Sequence, residues 1–90
     1  MYSIEYSEEA KRDISLLRQS DPIAFRKVTK LLLELVDHPT EGTGHPEQLK
    51  GGGGRMWSRR ISKKHRLVYE IYDTEVVVLV LAAYGHYNDK

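Results

Sequence analysis

The sequence contains no cysteine. That absence excludes disulfide bridges, thiolate metal sites and a cysteine nucleophile. The first residues, MYSIEYSEEAKRD, have neither a basic start nor an apolar core, so we expect no secretory signal and a cytoplasmic protein. The longest apolar run, residues 76–84, is far shorter than the roughly 20 residues that a membrane-spanning helix needs. We therefore expect no membrane among the partners.

The chain is also short, at 90 residues. A chain of this size buries only about 60–65% of the surface that its unfolded form exposes, so the core is small. The one candidate linker is the four-glycine tract at residues 51–54. A division after Gly54 leaves a piece below the roughly 40 residues that fold without disulfides, metal or a partner. We therefore predict one domain over residues 1–90.

Positive charge is concentrated in one segment. The formal net charge is only +1, but residues 48–69 contain seven Lys and Arg and no Asp or Glu, and both flanking segments are net negative. A concentrated basic segment in a balanced domain favours a surface that faces a polyanion such as nucleic acid. The alternative is a basic strand whose charges only protect a sheet edge.

Two amphipathic helices are predicted in the first half of the chain. A short alternating strand at residues 2–6 precedes Ser7, a suitable N-cap, and the first helix is predicted over residues 8–18. Asp21 and Pro22 supply the cap and the first position of a second helix. The short connection between the two helices predicts an αα-hairpin.

Three strands are predicted in the second half. They cover residues 56–62, 65–72 and 76–84, and they follow a Pro- and Gly-rich loop at residues 39–54. Short connections between consecutive strands predict an antiparallel meander. The order β-α-α-β-β-β then predicts an α+β fold in which the αα-hairpin packs on one face of an antiparallel sheet.

Alternation along these strands places two arginines on the face that the helices leave open. Arg60 in one strand and Arg66 in the next are predicted to point together away from the helices. A pair of arginines can hold a phosphate bidentately. The alternative is a solvated face on which both arginines pair with Glu70 or Glu47.

Two histidines, His86 and His65, have sequence positions that suggest a role in a site. His86 follows the last predicted strand, and histidine suits acid–base work near neutral pH, although a terminal histidine is often merely exposed. Together with a carboxylate and two arginines it completes the residue types of RNA cleavage: a base for the 2′-OH, cations for the phosphorane and an acid for the leaving 5′ oxygen. His65 could contact a phosphate, and Tyr87 could stack on a base. No two histidines have ligand spacing, so no metal or other cofactor is expected.

Three motifs resemble a known family. EGTGHPEQLK, WSRRISKKHRLVYEI and the closing HY look like the YoeB/Txe toxins of the RelE superfamily, and the resemblance covers nearly the whole chain, the early β-α-α order included. The WSRRI…HRLVY block is specific. The resemblance implies a toxin of a type II toxin–antitoxin pair with a microbial-RNase-like α+β fold.

The resemblance also implies an activity and partners. It implies an endoribonuclease that cuts mRNA in the ribosomal A site and so inhibits translation. The implied reaction is a metal-independent transesterification that leaves a 2′,3′-cyclic phosphate and a 5′-OH. The implied partners are a cognate antitoxin, mRNA and the 70S ribosome, with a homodimer as the assembly and operator DNA bound only together with the antitoxin.

Matching the motifs residue by residue implies the site. The implied general base is Glu47 and the implied general acid is His86. Arg66 is implied to stabilise the phosphate, and Tyr87 is implied to position the nucleotide. Three basic residues are implied to hold RNA: Lys50, Arg60 and His65. The residues alone had indicated Arg60, Arg66 and His86, whereas Glu47 without the resemblance is a loop carboxylate.

Two other functions stay open at this point. A non-catalytic member would keep the basic face and bind RNA, or DNA together with its antitoxin. A structural or interaction domain would use the basic segment only to dock an acidic peptide.

The glycine tract has a predicted role in the site. It lacks the G-x-x-x-x-G-K-[ST] spacing of a phosphate-binding loop. We predict that residues 51–54 are slack between Glu47 or Lys50 and the strand that carries Arg60. The proposed base could then move relative to the arginines, and the loop would be poorly ordered without RNA.

Overall fold

The computed structural model describes residues 1–85. The elements are, in chain order, β1 (Ser3–Tyr6), α1 (Glu8–Ser20), α2 (Pro22–Leu35), β2 (Glu47–Gln48), β3 (Met56–Arg60), β4 (Arg66–Tyr72) and β5 (Val77–Ala82). The five strands form one sheet in the order β1-β5-β4-β3-β2, and the two helices pack on one of its faces. No helix in the described part of the chain is long and apolar enough to cross a membrane.

The predicted α+β fold is confirmed, with two differences in the sheet. β1 pairs with β5 in parallel, with Ser3 opposite Val77, so the sheet is mixed rather than purely antiparallel. The sequence predicts pairing only between strands that follow one another in the chain. β1 and β5 do not, because the αα-hairpin and three strands lie between them. The second difference is β2, which has two residues and is therefore too short to show a period of two in the sequence.

The helix starts follow the predicted capping pattern. Ser7 Oγ accepts a hydrogen bond from the backbone N of Ala10 at 3.0 Å. Asp21 ends α1 and also caps α2, because its Oδ1 accepts from the backbone N of Ala24 at 3.2 Å. Pro22 occupies the first turn, where its missing N–H leaves no bond unmade. One residue thus serves both helices, which keeps the αα-hairpin tight.

The core lies between the helices and the sheet. The helices contribute the fully buried Leu17, Val28, Leu31 and Leu35, and the strands contribute Leu67, Tyr69, Val78 and Val80. Burial of each large aliphatic side chain stabilises the fold by about 1.5–3 kcal/mol. The alternation of β4 is visible here, because its odd-numbered residues pack against the helices and its even-numbered ones lie on the other face.

One charged side chain also lies in this core. Arg59 on β3 is fully buried. Its Nη1 donates to Glu34 Oε1 at 2.8 Å and its Nε donates to the Tyr69 hydroxyl at 3.1 Å. The remaining donors reach three backbone carbonyls of the α2–β2 loop (residues 36–46), those of His38, Glu41 and Thr43. The guanidinium therefore supplies donors to partly buried carbonyls of this loop.

Glu34 completes this arrangement from α2. Its Oε2 accepts from the Thr43 hydroxyl at 2.6 Å, and its Oε1 accepts from the Thr43 backbone N at 2.8 Å. The hydrogen bond from the Thr43 hydroxyl, with smaller help from Arg59, lowers the pKa of the Glu34 carboxyl below its ordinary value. One helix, one loop and one strand are joined through this single ion pair.

We expect Glu34→Gln to lower the free energy of unfolding by about 3 kcal/mol. Loss of one partner of a buried ion pair costs about 3–5 kcal/mol, and the 24% exposure of Glu34 places the expected cost at the lower end. Chemical denaturation measures it. The matched control is Glu41→Gln, an exposed carboxylate of the α2–β2 loop whose ion-pair partner within residues 1–85 is His38, and this change should leave stability at the parent value.

The stability difference between the parent chain and Glu34→Gln should depend on pH. Because the pKa of Glu34 is lower in the folded chain, its stabilisation is present above the ordinary value of 4.5 and is lost as the pH falls through the folded pKa. The difference in stability between the parent chain and Glu34→Gln should therefore narrow on acidification. A difference that widens with falling pH would contradict this assignment.

Candidate active site

The sheet face opposite the helices carries a cluster of polar side chains, which we call the open face. The strand register places Glu47 opposite Ser58, and Arg60 opposite Arg66. Ser58 and Arg60 lie two residues apart on β3, so all four side chains leave the sheet on the same side. The prediction that Arg60 and Arg66 share the open face is confirmed.

Arg66 is held at the centre of this face. Its Nη1 donates to Ser58 Oγ at 2.9 Å and to Glu47 Oε1 at 3.3 Å. Ser58 is buried, with 1% of its surface exposed, so its hydroxyl fixes the guanidinium from below. The Glu47 side chain is 63% exposed, so a bound molecule can reach its carboxylate. The structure thus shows the pairing with Glu47 that was the alternative to a phosphate-binding role for Arg66.

Arg60 differs from Arg66 in being exposed. Within residues 1–85 its side chain has no ion-pair or hydrogen-bond partner, and it stands directly across the strands from Arg66. Like charges on cross-strand neighbours repel each other unless an anion lies between them. The open face therefore has one arginine fixed against a carboxylate and a second that is exposed and, within residues 1–85, has no side-chain partner.

The approach to Glu47 is set by the α2–β2 loop. The backbone N of Arg60 donates to Gly44 O at 2.7 Å, which docks this loop on β3 just before β2 begins. A Cβ on Gly44 would lie 2.9 Å from Arg60 O, and its φ is +87°, so both space and backbone geometry require glycine. Arg59 holds the earlier part of the same loop. The position of Glu47 is thus fixed by the two neighbouring arginines of β3, one through its side chain and one through its backbone.

The glycine tract forms the loop between β2 and β3, and Lys50 lies exposed at its start. Backbone bonds close this loop, from Leu49 N to Met56 O at 2.7 Å and from Arg55 N to Gly52 O at 3.1 Å. A Cβ on Gly52 would approach Met56 side-chain atoms to 2.5 Å. The tract is therefore a hydrogen-bonded hairpin loop in this conformation, at the predicted place between Glu47 and the strand of Arg60. Its predicted movement stays a prediction.

His65 is placed differently from an exposed phosphate contact. Only 5% of its surface is exposed. Its Nδ1 accepts a hydrogen bond from the backbone N of Gly85 at 2.9 Å, and its ring centroid lies 4.5 Å from that of Tyr84. The predicted contact of His65 with RNA stays a prediction, but the ring also has a partner within the chain.

Two predicted site residues, His86 and Tyr87, lie outside the described residues 1–85. The last described residue, Gly85, accepts a hydrogen bond at its carbonyl from the backbone N of Arg66 at 2.8 Å. The chain therefore passes Arg66 immediately before His86 in sequence. Within residues 1–85, no three His, Asp or Glu side chains are grouped so that they could hold a metal ion.

Three residues that shape the site, Arg59, Glu34 and Ser58, are not among those that the sequence predicts. The signal for Arg59 was present, because two adjacent arginines on a strand must point to opposite faces and only one face is open. Its partner Glu34 was not identifiable, since it is 25 residues away on the exposed side of a helical pattern. Ser58 gave no signal, because a small polar residue between charged ones is compatible with any exposed strand.

Comparison with solved structures gives the class of protein to which this fold belongs, the small α+β toxins of bacterial toxin–antitoxin systems. The YoeB dimer from Staphylococcus aureus superposes with a TM-score of 0.83 and 31% identity, covering 96% of this chain and 98% of that chain. A chain of the heterotetrameric YoeB-YefM toxin–antitoxin complex from S. aureus gives a TM-score of 0.79 and 32% identity, covering 97% and 99%.

Sequence comparison gives the family within this class. Residues 6–87 match the family model for the YoeB-like toxin of bacterial type II toxin–antitoxin systems. Toxin YoeB of Mycobacterium bovis is 38% identical to this chain over 88% of its length and 93% of that protein. The chain therefore belongs to the YoeB-like toxins, and the resemblance found in the motifs is confirmed.

We expect Arg60→Gln to stabilise the free chain at low ionic strength. The change removes the repulsion between two like charges directly opposite each other, an effect of roughly 0.2–1 kcal/mol for cross-strand pairs. Thermal unfolding measures it. The gain should shrink in high salt, where exposed charges are screened. A stability loss, or a gain that does not depend on salt, would show that the two guanidinium groups do not repel each other.

Proposed function

We propose that this toxin is an endoribonuclease that cuts mRNA in the ribosomal A site and so inhibits translation. The observation that carries the proposal is the open face, where the Glu47 carboxylate and the Arg66 guanidinium are 3.3 Å apart and Arg60 stands opposite Arg66. A carboxylate beside two arginines supplies the base and the cations that cleavage at a 2′-OH requires.

The proposed reaction is a transesterification within the RNA backbone. Glu47 takes the proton of a 2′-OH, and the 2′ oxygen attacks the adjacent phosphorus. The bond from phosphorus to the 5′ oxygen of the next nucleotide breaks, and that oxygen receives a proton from the general acid. The products are a 2′,3′-cyclic phosphate and a 5′-OH. The negative charge that builds on the non-bridging oxygens lies where Arg66 and Arg60 can bind it.

The contact between Arg66 and Glu47 in the free chain fits this scheme. A single hydrogen bond of 3.3 Å between groups that are 22% and 63% exposed contributes little to stability. A phosphate offers Arg66 a bidentate partner of higher charge. A phosphate of the substrate can therefore replace the carboxylate as the ion-pair partner of Arg66, while the hydrogen bond to Ser58 remains. Glu47 is then free to accept the proton.

The remaining site residues have roles in this proposal that come from the family resemblance. His86 is the proposed general acid and Tyr87 positions the nucleotide. Lys50 and Arg60 contact RNA, supported by their exposure and by the basic segment at residues 48–69. His65 was matched to RNA binding as well, with only its Nε2 edge left for such a contact. The reaction is proposed to need no metal.

The proposed partners follow from the relatives. A YoeB dimer and a YoeB-YefM complex are among the solved relatives, and they support a homodimer and a cognate antitoxin for this chain. Binding of operator DNA is proposed only for the complex with antitoxin. The ribosome and mRNA are the proposed targets, in the cytoplasm.

Cleavage of a ribosome-bound mRNA tests the proposed catalytic residues. Glu47→Ala and His86→Ala should each lower the single-turnover cleavage rate by roughly 10²–10⁴, the size of a lost general acid or base. Glu41→Ala is the matched control, since it removes a nearby exposed carboxylate outside the open face, and it should cleave at the parent rate.

The same variants decide between catalysis and binding alone. A non-catalytic RNA- or DNA-binding module would give no cleavage with the parent chain, and expression in bacteria would be equally harmful for all variants. Parent and Glu47→Ala chains that are equally toxic would therefore rule out the proposed base.

Salt dependence tests the RNA-binding surface. For single-stranded RNA, each phosphate contact contributes about 0.7 to the slope of log affinity against log salt. Arg60→Gln should therefore reduce this slope by about 0.7. Arg26→Gln removes an equal charge from the exposed surface of α2 and should leave the slope unchanged. Equal slopes for the parent and Arg60→Gln would place RNA elsewhere.

A further inference from the structure

Three consecutive backbone N–H groups after β5 are held by side chains rather than by the sheet. β5 ends at Ala82, and the next two residues, Ala83 and Tyr84, both donate to Asp13 Oδ2, at 2.9 and 3.2 Å. The N–H of Gly85 then donates to His65 Nδ1 at 2.9 Å. We call Asp13 and His65 the clamp. It continues the fixation of the chain beyond the last strand.

The two residues of the clamp are far apart in the sequence and lie in different parts of the fold. Asp13 lies on α1, the helix that packs against β5. His65 immediately precedes β4, and its carbonyl accepts from the backbone N of Ile61 and of Ser62, so the residue is fixed at its backbone as well. Since Nδ1 accepts a hydrogen bond, the ring proton of neutral His65 lies on Nε2. The imidazole therefore works here as an acceptor, with Tyr84 against its ring.

The clamp determines where the chain passes the backbone of Arg66. Gly85 is held on both sides, at its N–H by His65 and at its carbonyl by the backbone N of Arg66. Its φ is +73°, and nothing lies within 4 Å of the place that a Cβ would occupy, so glycine is needed for backbone geometry alone. His86, the proposed general acid, is the next residue in the sequence.

We infer that Asp13 and His65 are positioning residues for the proposed cleavage, acting by fixing residues 83–85 and hence the point from which the chain continues to His86. The inference rests on the proposed function and deepens it. It explains why His65 is only 5% exposed although it lies in the basic segment. With Nδ1 engaged by Gly85, only Nε2 remains for a contact with RNA.

Two substitutions of His65 separate positioning from RNA contact. In His65→Asn the side-chain oxygen falls near the place of Nδ1, so it can still accept from Gly85. In His65→Gln the amide reaches the place of Nε2 and leaves the Gly85 N–H without its acceptor. The clamp predicts that His65→Gln cleaves roughly 10- to 100-fold more slowly than the parent chain, with KM within about twofold, because a displaced acid slows the chemical step. His65→Asn should cleave about tenfold faster than His65→Gln.

Amide hydrogen exchange at Gly85 provides a readout that does not depend on cleavage. Protection of the Gly85 N–H should persist in His65→Asn and fall in His65→Gln. Asp13→Asn and Asp13→Ala form a second pair, which serves if His65→Gln does not fold. Asn keeps an acceptor for residues 83 and 84, and Ala exposes both N–H groups, so Asp13→Ala should be the slower enzyme.

The opposite order for His65 overturns the inference. Faster cleavage by His65→Gln than by His65→Asn would mean that Nε2 contacts RNA. Equal rates in the two variants, or equal Gly85 protection, would mean that the hydrogen bond to Nδ1 positions nothing. A parent chain that cleaves no RNA overturns the proposed function and the catalytic part of the inference together, whereas Gly85 exchange still shows whether the clamp holds the chain.

Discussion

The buried ion pair between Arg59 and Glu34 is the interaction on which the candidate site depends. Burial of an arginine in a small core is costly unless every donor is used, and here its donors reach the Glu34 carboxylate, the Tyr69 hydroxyl and three carbonyls of the α2–β2 loop. Such a pair contributes mainly to a unique arrangement, because the side chain of Arg59 ties three carbonyls of this loop to β3. The α2–β2 loop leads directly into β2, whose first residue is Glu47.

The dipeptide Arg59-Arg60 couples the core to the open face. Because side chains alternate along a strand, one arginine fixes the loop below the sheet while its neighbour lies exposed above it. Arg66 occupies the next strand and rests on buried Ser58, so both arginines of the open face are carried by strands and not by loops. Such rigid placement favours electrostatic stabilisation of a charged transition state, which requires groups already in position.

Much of the fold was predictable from local chemistry. The caps at Ser7 and Asp21 mark the starts of the two helices, and the alternation in β4 marks a strand. Alternation also predicted that Arg60 and Arg66 share a face. The parallel pairing of β1 was not predictable, because it joins residues more than 70 positions apart. The same holds for the Arg59–Glu34 pair and for the hydrogen bond between His65 and Gly85, where only tertiary structure brings the partners together. Glu47 came from a resemblance, since nothing in its local sequence separates it from a loop carboxylate.

The central claim is that the open face performs chemistry on the 2′-OH of a bound RNA. Its most direct measurement is cleavage of an mRNA with a single 2′-deoxy nucleotide at the cut position, together with identification of the ends formed by the parent chain on unmodified RNA. The account predicts that the 2′-deoxy substitution abolishes cleavage at that position, and that unmodified RNA yields 2′,3′-cyclic phosphate and 5′-OH ends. Cleavage of the 2′-deoxy substrate at the parent rate, or products with 5′-phosphate ends, would contradict it.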